Sequence, residues 1–249
     1  MFKKIKFLAK SAVIEGNISI IGNSIFYYFK NLVSIKLPNT INTIGSGAFQ
    51  ECSSLTSIDI SSVRFLGTKA FQYCTSLTSI KIPSGITSIQ DNLLYHCEAI
   101  SSIYIPNTVK SISVSEFSLC YNLSSIIIPD SVKKIESSAF RHCINILTIN
   151  ISNSVKTIGI SAFSYCHKLS TINIPNSIQD INSLVFLYCY NLSTINISDS
   201  VQKIGAMAFQ YCTSLKSNKI PSGLHQFKII YYITANQFHQ FISQIQLHR

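Results

Sequence analysis

Apolar residues recur along this chain at fixed places in a unit of 22 or 23 residues. Units aligned on their cysteines share the pattern C-x-x-L-x-x-I-x-I-P-x-S-V-x-x-I-G-x-x-A-F-x-x-C. Eight cysteines mark the units: Cys52, Cys74, Cys97, Cys120, Cys143, Cys166, Cys189 and Cys212. A repeat of this length is typical of a solenoid, in which each unit stacks only on its neighbours.

The first half of the unit predicts a strand, a turn and a second short extended segment. In one unit Ile126 and Ile128 lie two residues apart, so both face the interior from one strand. Pro129 follows and ends the strand, because proline has no N–H to donate to a ladder. Val132 and Ile135 then predict another short extended segment that faces the core.

The second half of the unit predicts a corner and a short helical turn. Four units carry a glycine here, and we expect it at a corner with unusual backbone angles: Gly45, Gly67, Gly159 and Gly205. In the A-F-x-x-C segment, Phe140 and Cys143 lie three residues apart, so one helical turn would place both on the inner side.

These elements predict an α/β repeat solenoid, a right-handed leucine-rich-repeat coil with one parallel strand per turn and a short helical turn opposite. The core pattern matches the leucine-rich consensus L-x-x-L-x-L. With its trailing I-G-x-x-A-F-x-x-C, the chain resembles the BspA-like surface antigens, a leucine-rich-repeat class with 23-residue units, over residues 9–224. A parallel β-helix, which also stacks strands, remains an alternative.

The register divides the chain into three parts: a basic N-terminal strip (1–8), a solenoid of about nine to ten coils (9–224) and a divergent C-terminal cap or tail (225–249). Two units break the pattern, and we expect a local distortion at each. The unit from Cys52 has lost one residue in its turn, and the unit from Cys97 has Glu116 in place of alanine.

The cysteines are predicted to be free thiols in a buried column, where cysteine behaves as a small hydrophobe. Side chains that point in parallel do not present the dihedral angle that a disulfide needs. Three histidines adjoin this column in sequence, His96, His142 and His167, but a residue next to an inward cysteine should point elsewhere. We therefore expect no metal site and no cofactor.

Catalysis has no support in the sequence, so we expect no enzyme. The ten acidic residues form no recurring pair, and phosphate-binding signatures are absent. The net charge of +10 favours attraction to acidic surfaces, but the phenylalanines are assigned to the core, so we expect no nucleic-acid partner. No apolar run is long enough for a transmembrane segment.

The outer face of the first strand is the candidate contact surface. Just before the first strand isoleucine, every unit has a hydroxyl residue, as in Ser102 and Thr171. Two residues further on, the side chain varies, and partner choice would lie in Lys81, Tyr104, Ile127, Asn150, Asn173 and Asn196. Tyr104 and Ile127 are the aromatic and aliphatic anchors that protein interfaces favour.

A non-catalytic scaffold for a protein or glycan ligand is the function that these residues favour. The resemblance implies display at the cell surface and adhesion to host or matrix proteins. Two alternatives stay open: an intracellular interaction scaffold of the same fold, because no clear signal peptide or anchor is seen, and a fragment of a longer array. The sequence names neither the ligand nor the oligomeric state.

Overall fold

The computed structural model describes residues 10–215, 222, 224 and 226–227. Short strands recur in most of its turns, and every pairing between them is parallel. In chain order they are β1 Ser11–Val13, β2 Ile20–Ile21, β3 Ser34–Lys36, β4 Thr43–Ile44, β5 Ser57–Ile58, β6 Phe65–Leu66, β7 Ser102–Ile103, β8 Ser111–Ile112, β9 Ser125–Ile126, β10 Lys134–Ile135, β11 Thr148–Ile149, β12 Thr157–Ile158, β13 Thr171–Ile174, β14 Asp180–Ile181, β15 Thr194–Ile197, β16 Lys203–Ile204 and β17 Gln226–Phe227.

The strands form two ladders on different sides of the coil. The first ladder contains β1 and the odd-numbered strands to β15, and the second contains the even-numbered strands and β17. Within each ladder a strand pairs with its equivalent one unit away; for example, Ile172 lies opposite Ile195 and Ile181 opposite Ile204. The chain is therefore a parallel β-solenoid of the leucine-rich-repeat kind, and the eight buried cysteines mark successive turns.

The predicted helical turn is wrong, as is the prediction of one strand per turn. The described residues contain no helix, and the second extended segment forms a ladder of its own. In each unit the residue before the alanine and the residue before the cysteine of A-F-x-x-C adopt left-handed backbone angles, as Ser138 (φ 58°) and His142 (φ 61°) do. A helix cannot continue through such residues.

The left-handed residues convert this segment into consecutive tight turns that stack on the next unit. The N–H of Cys143 donates to the carbonyl of Phe140 at 3.1 Å, which closes one turn. Alternate N–H groups donate across to the following unit, from Phe140 to Ala162 and from His142 to Ser164, both at 2.8 Å. The A-F-x-x-C side of the coil is thus hydrogen-bonded between units, although it contains no strand.

The glycines at the corner have a different role from the one expected. Gly45, Gly67, Gly159 and Gly205 lack the positive φ that Gly47 has. A Cβ on Gly159 would lie 2.4 Å from the backbone nitrogen of Ser137 in the preceding unit. Glycine is required here because two backbones approach closely.

The inward positions form the core as predicted. The Leu, Ile, Val, Ala, Phe and Cys positions of the repeat are buried through the middle of the described solenoid and become partly exposed toward its ends, as at Ile25 and Phe209. The phenylalanines stack in a file, as in Phe140 on Phe163 with ring centroids 5.4 Å apart and an interplanar angle of 6°. The file is interrupted once, where Leu94 occupies the phenylalanine position, and on either side of it the stacked rings carry the packing from unit to unit.

The shortened unit coincides with an interruption of both ladders. The turn between Cys74 and Cys97 contains no strand. Its only strand-like pairing is an isolated parallel bridge between Lys81 and Tyr104. The interruption therefore lies one turn after the 22-residue unit, in which the distortion was expected. The predicted boundaries of the N-terminal strip and the C-terminal cap stay predictions, because 1–9 and most of 216–249 lie outside the described residues.

Candidate functional site

The candidate contact residues lie in one column on the outer face of the first ladder. A bridge places Lys81 beside Tyr104, another places Ile127 beside Asn150, and β13 pairs with β15 so that Asn173 lies opposite Asn196. All six predicted residues are exposed. The structure thus places the predicted column together, but it does not test whether the column binds a partner.

Two large side chains stand out in the middle of this face. Tyr104 is 56% exposed and Ile127 is 83% exposed, although the isoleucines on either side of Ile127 are buried. The alternation of the strand explains this, because successive side chains point to opposite faces. Ser102 pairs with Ser125, so Tyr104 and Ile127 lie on adjacent strands of the first ladder.

The hydroxyl column beside them is exposed, but it is not the column that makes hydrogen bonds. In residues 10–215 the hydroxyls that hydrogen-bond between units lie in the neighbouring column. The residue one position earlier donates instead to a backbone carbonyl of the preceding unit, as Thr56 does to Val33 at 3.2 Å and Ser193 to Ser170 at 3.3 Å. Hydrogen bonding along the stack therefore runs through the column one position earlier.

The cysteine thiols are buried and unsuited to nucleophilic chemistry. Each is free, and each Sγ donates to a backbone carbonyl of the preceding unit, as Cys143 does to Phe117 at 3.0 Å. Burial raises the pKa of Cys120 and of Cys166 to about 12, so the reactive thiolate is disfavoured. The cysteines therefore have a structural role. Each supplies a small apolar side chain to the core and also donates a hydrogen bond to a buried backbone carbonyl.

The three histidines lie outside the cysteine column, on the edge formed by the tight turns. His96 Nε2 lies 2.6 Å from Glu98 Oε1, and desolvation lowers the pKa of His142 and of His167. Across the described part of the chain, no group of three or more His, Cys, Asp or Glu side chains could hold a metal ion. Nor does any helix in that part have the length and apolarity to cross a membrane.

Sequence reasoning missed that these histidines belong to rows of half-buried aromatic rings. In the later units, aromatic residues that flank the cysteines contact their equivalents in the next unit. The signal lay in the sequence, because Tyr or His recurs just before or after the cysteine in most units, as in Tyr73, His96, Tyr165 and Tyr188.

Solved structures of bacterial leucine-rich-repeat proteins are similar to this chain. A leucine-rich cell surface protein from Faecalibacterium prausnitzii has 29% sequence identity and a TM-score of 0.67, with 88% of this chain and 78% of that one covered. A leucine-rich repeat protein from Bacteroides ovatus has 25% identity and the same TM-score, with 87% and 72% covered. One from Eubacterium ventriosum, at 20% identity, a TM-score of 0.54 and 91% and 85% covered, shows the shared fold alone.

The repeat profile agrees with these structural likenesses. None of the curated proteins compared with the chain matches it. The BspA type leucine-rich repeat region, in six copies, matches residues 1–123 and 110–237. The chain therefore belongs to the BspA-type leucine-rich-repeat family.

Proposed function

We propose that this protein is a non-catalytic binding scaffold of the cell-surface kind, and that it contacts a protein partner through the middle of the first ladder. The observation that carries the proposal is the exposure of Tyr104 and Ile127 on adjacent strands in the middle of this face. Aromatic and aliphatic side chains at the centre of a patch are what protein partners bury most favourably. The similarity to a cell surface protein of Faecalibacterium prausnitzii supports the location.

The polar residues around the two anchors would supply the rim of the interface. Asn150, Asn173 and Asn196 present amide groups on successive rungs, and Lys81 adds a charge at the other end. A rim of this kind satisfies hydrogen bonds while the centre excludes water. The rigid ladder holds these groups in place before binding, which lowers the entropic cost of association.

The contact is tested with the double variant Tyr104→Ala/Ile127→Ser. Partners captured on the immobilised wild-type chain are identified, and their affinity is measured for both forms. We expect the double variant to weaken binding by about tenfold or more, because it removes both anchors. The matched control is Ile20→Ser/Phe65→Ser, which removes two exposed apolar side chains from the second ladder. Unchanged binding by the Tyr104/Ile127 variant would refute the proposed contact.

The location is tested separately. Intact cells that naturally produce the chain are treated with a membrane-impermeant biotin label. Labelling before lysis is the expected result, and labelling only after lysis would favour the intracellular scaffold. This experiment does not depend on the identity of the partner, so the two parts of the proposal can fail independently.

A further inference from the structure

A strip of aromatic rings and basic residues lies on the tight-turn edge of the last described units, away from the proposed protein contact. We call His142, Tyr165, His167, Tyr188, Tyr190 and Tyr211 the aromatic strip. Its main row is continuous: ring centroids are 4.1 Å apart from His142 to Tyr165, 4.6 Å from Tyr165 to Tyr188, and 4.4 Å from Tyr188 to Tyr211. A parallel row joins His167 to Tyr190 at 5.0 Å.

In the main row two ring pairs lie nearly parallel, so each ring covers part of its partner's face, whereas Tyr165 and Tyr188 are tilted by 31°. The interplanar angle is 14° between His142 and Tyr165 and 3° between Tyr188 and Tyr211. An aromatic ring is electron-rich on its face and positive at its edge, so a stack of this kind presents positive edges to solvent. Desolvation and the neighbouring phenols of Tyr211 and Tyr165 raise the pKa of Tyr188, so its hydroxyl stays protonated and able to donate.

The tight turns that carry the strip contain no acidic residue. Residues 137–145, 160–168, 183–191 and 206–214 contain no Asp or Glu, although Asp180 and Asp199 lie elsewhere in the same units, and Arg141 and Lys168 are exposed within these turns. The Cζ of Arg141 lies 5.5 Å from the centroid of Tyr165. Positive ring edges, hydroxyl donors and two basic side chains therefore share this part of the edge.

The tight-turn edge of the earlier units has a different charge, because there carboxylates contact the aromatic rings. The hydroxyl of Tyr27 donates to Glu51 Oε1 at 3.2 Å, and Glu98 lies against His96. The positive character thus belongs to the later units and is not a general property of the repeat.

We propose that the aromatic strip binds an acidic polysaccharide, whose anionic groups repeat along a linear chain as the donors repeat along the strip. Charge complementarity is the basis of this assignment. A single-stranded nucleic acid fits less well, because its bases stack on free ring faces, and the rings of His142 and Tyr165 and of Tyr188 and Tyr211 already stack on each other. An acidic peptide fits less well because protein interfaces need apolar anchors seated in pockets, whereas the strip offers a row of polar edges.

The test measures binding of a size-defined heparin oligosaccharide to the full chain by calorimetry. Neutral dextran of similar length, polyglutamate and oligo-dT are measured alongside it. Heparin is expected to bind, with an affinity that falls as salt rises, and to bind more tightly than polyglutamate or oligo-dT. Dextran is expected not to bind.

Two variants locate the site. Arg141→Gln/Lys168→Gln should weaken heparin binding about tenfold, because it removes two charge contacts. Tyr165→Phe/Tyr188→Phe/Tyr211→Phe keeps the stacked rings and removes only the hydroxyls, and should weaken binding about threefold or more. The matched control is Lys133→Gln/Lys134→Gln, which removes two exposed charges near the second ladder and should change the affinity less than about twofold.

Three results would overturn the proposal. An equal loss in the Lys133/Lys134 control would assign the binding to the net charge of the whole chain. Equal or tighter binding of polyglutamate or oligo-dT would assign the strip to an acidic peptide or to nucleic acid. Absence of heparin binding would leave the strip without this ligand, while the strand-face contact could still hold.

Discussion

At the scale of single residues, the most consequential departure from the repeat is Glu116. It occupies the alanine position and is fully buried, its Oε2 accepts from the N–H of Ser113 at 3.0 Å, and its Oε1 has no partner. Burial raises the pKa of this carboxyl from 4.5 to about 8, so the folded protein holds it neutral.

This carboxyl predicts stability that falls as the pH rises. The neutral carboxyl contributes fully below pH 4.5, where it is protonated in both the folded and the unfolded chain. From 4.5 to about 8 the unfolded chain ionises first, so the free energy of unfolding should decline by several kcal/mol and then level off. Chemical denaturation at a series of pH values measures the slope, and Glu116→Gln should remove most of it.

A matched variant separates this effect from general titration. Glu136→Gln alters a half-buried carboxyl in the next unit and should leave the slope in place. Glu116→Ala restores the residue of the consensus and should raise the stability above pH 8. A slope that persists in Glu116→Gln would show that other groups cause it.

Gly159 gives a second prediction at this scale. Because an added Cβ would lie 2.4 Å from the backbone of the preceding unit, Gly159→Ala should lower the free energy of unfolding by about 3 kcal/mol. Thermal and denaturant melts measure the change. Gly85→Ala is the control, since its Cβ would meet only the flexible side chain of Arg64, and it should be close to neutral. Equal effects would contradict the close-approach explanation.

At the scale of the element, the tight-turn segment is the part of the unit that depends most on backbone conformation. The left-handed column before each alanine position holds Gly47 in one unit but Ser138 in another. A residue with a Cβ is less stable than glycine in this left-handed backbone conformation.

Ser138→Gly should therefore stabilise the fold by about 0.5–1 kcal/mol, because relief at φ 58° outweighs the added freedom of the unfolded chain. Denaturant unfolding measures the difference. The same change at Thr148, an exposed strand position, should destabilise by a similar amount, since glycine weakens a strand. Destabilisation by both changes would contradict the left-handed assignment.

The strands could be predicted from the sequence, whereas the tight turns could not. Alternation at Ile126 and Ile128 determines which side chains face inward, and the outer column around Ile127 follows directly. A spacing of three from Phe140 to Cys143 suits both a helical turn and a pair of tight turns. Neither Ser138 nor His142 is a glycine, the residue that most clearly marks a positive φ. The sequence therefore predicted a helical turn at this segment, and the structure has tight turns instead.

The strand-face candidates followed from periodicity, but the aromatic strip did not. Lys81 and Tyr104 could be placed in one column by counting alone. The stacking of Tyr188 on Tyr211 depends on how closely successive tight turns approach and on which side of the cysteine the ring lies. Those distances come from the packing of whole units, which a single unit's sequence does not contain.

At the scale of the whole molecule, the stacked units protect a continuous interior. Seven of the eight cysteines lie between two neighbouring units and are fully buried. Cys212, in the last described turn, is 4% exposed. Solenoids of this kind are stabilised by contacts between neighbours, so opening should begin at an end.

The rate at which each cysteine thiol is chemically modified measures this opening of the solenoid from its end. Under native conditions at pH 8, a bulky disulfide reagent should leave most of the eight cysteines unmodified, because burial both blocks access and raises their pKa, to about 12 for Cys120. Cys212 should react first and Cys143 among the last, and mass spectrometry of the digested protein identifies the order. In denaturant all eight should react quickly, which provides the control. Rapid and uniform modification of the native chain would contradict the buried column, and with it the in-register stacking on which both proposed surfaces depend.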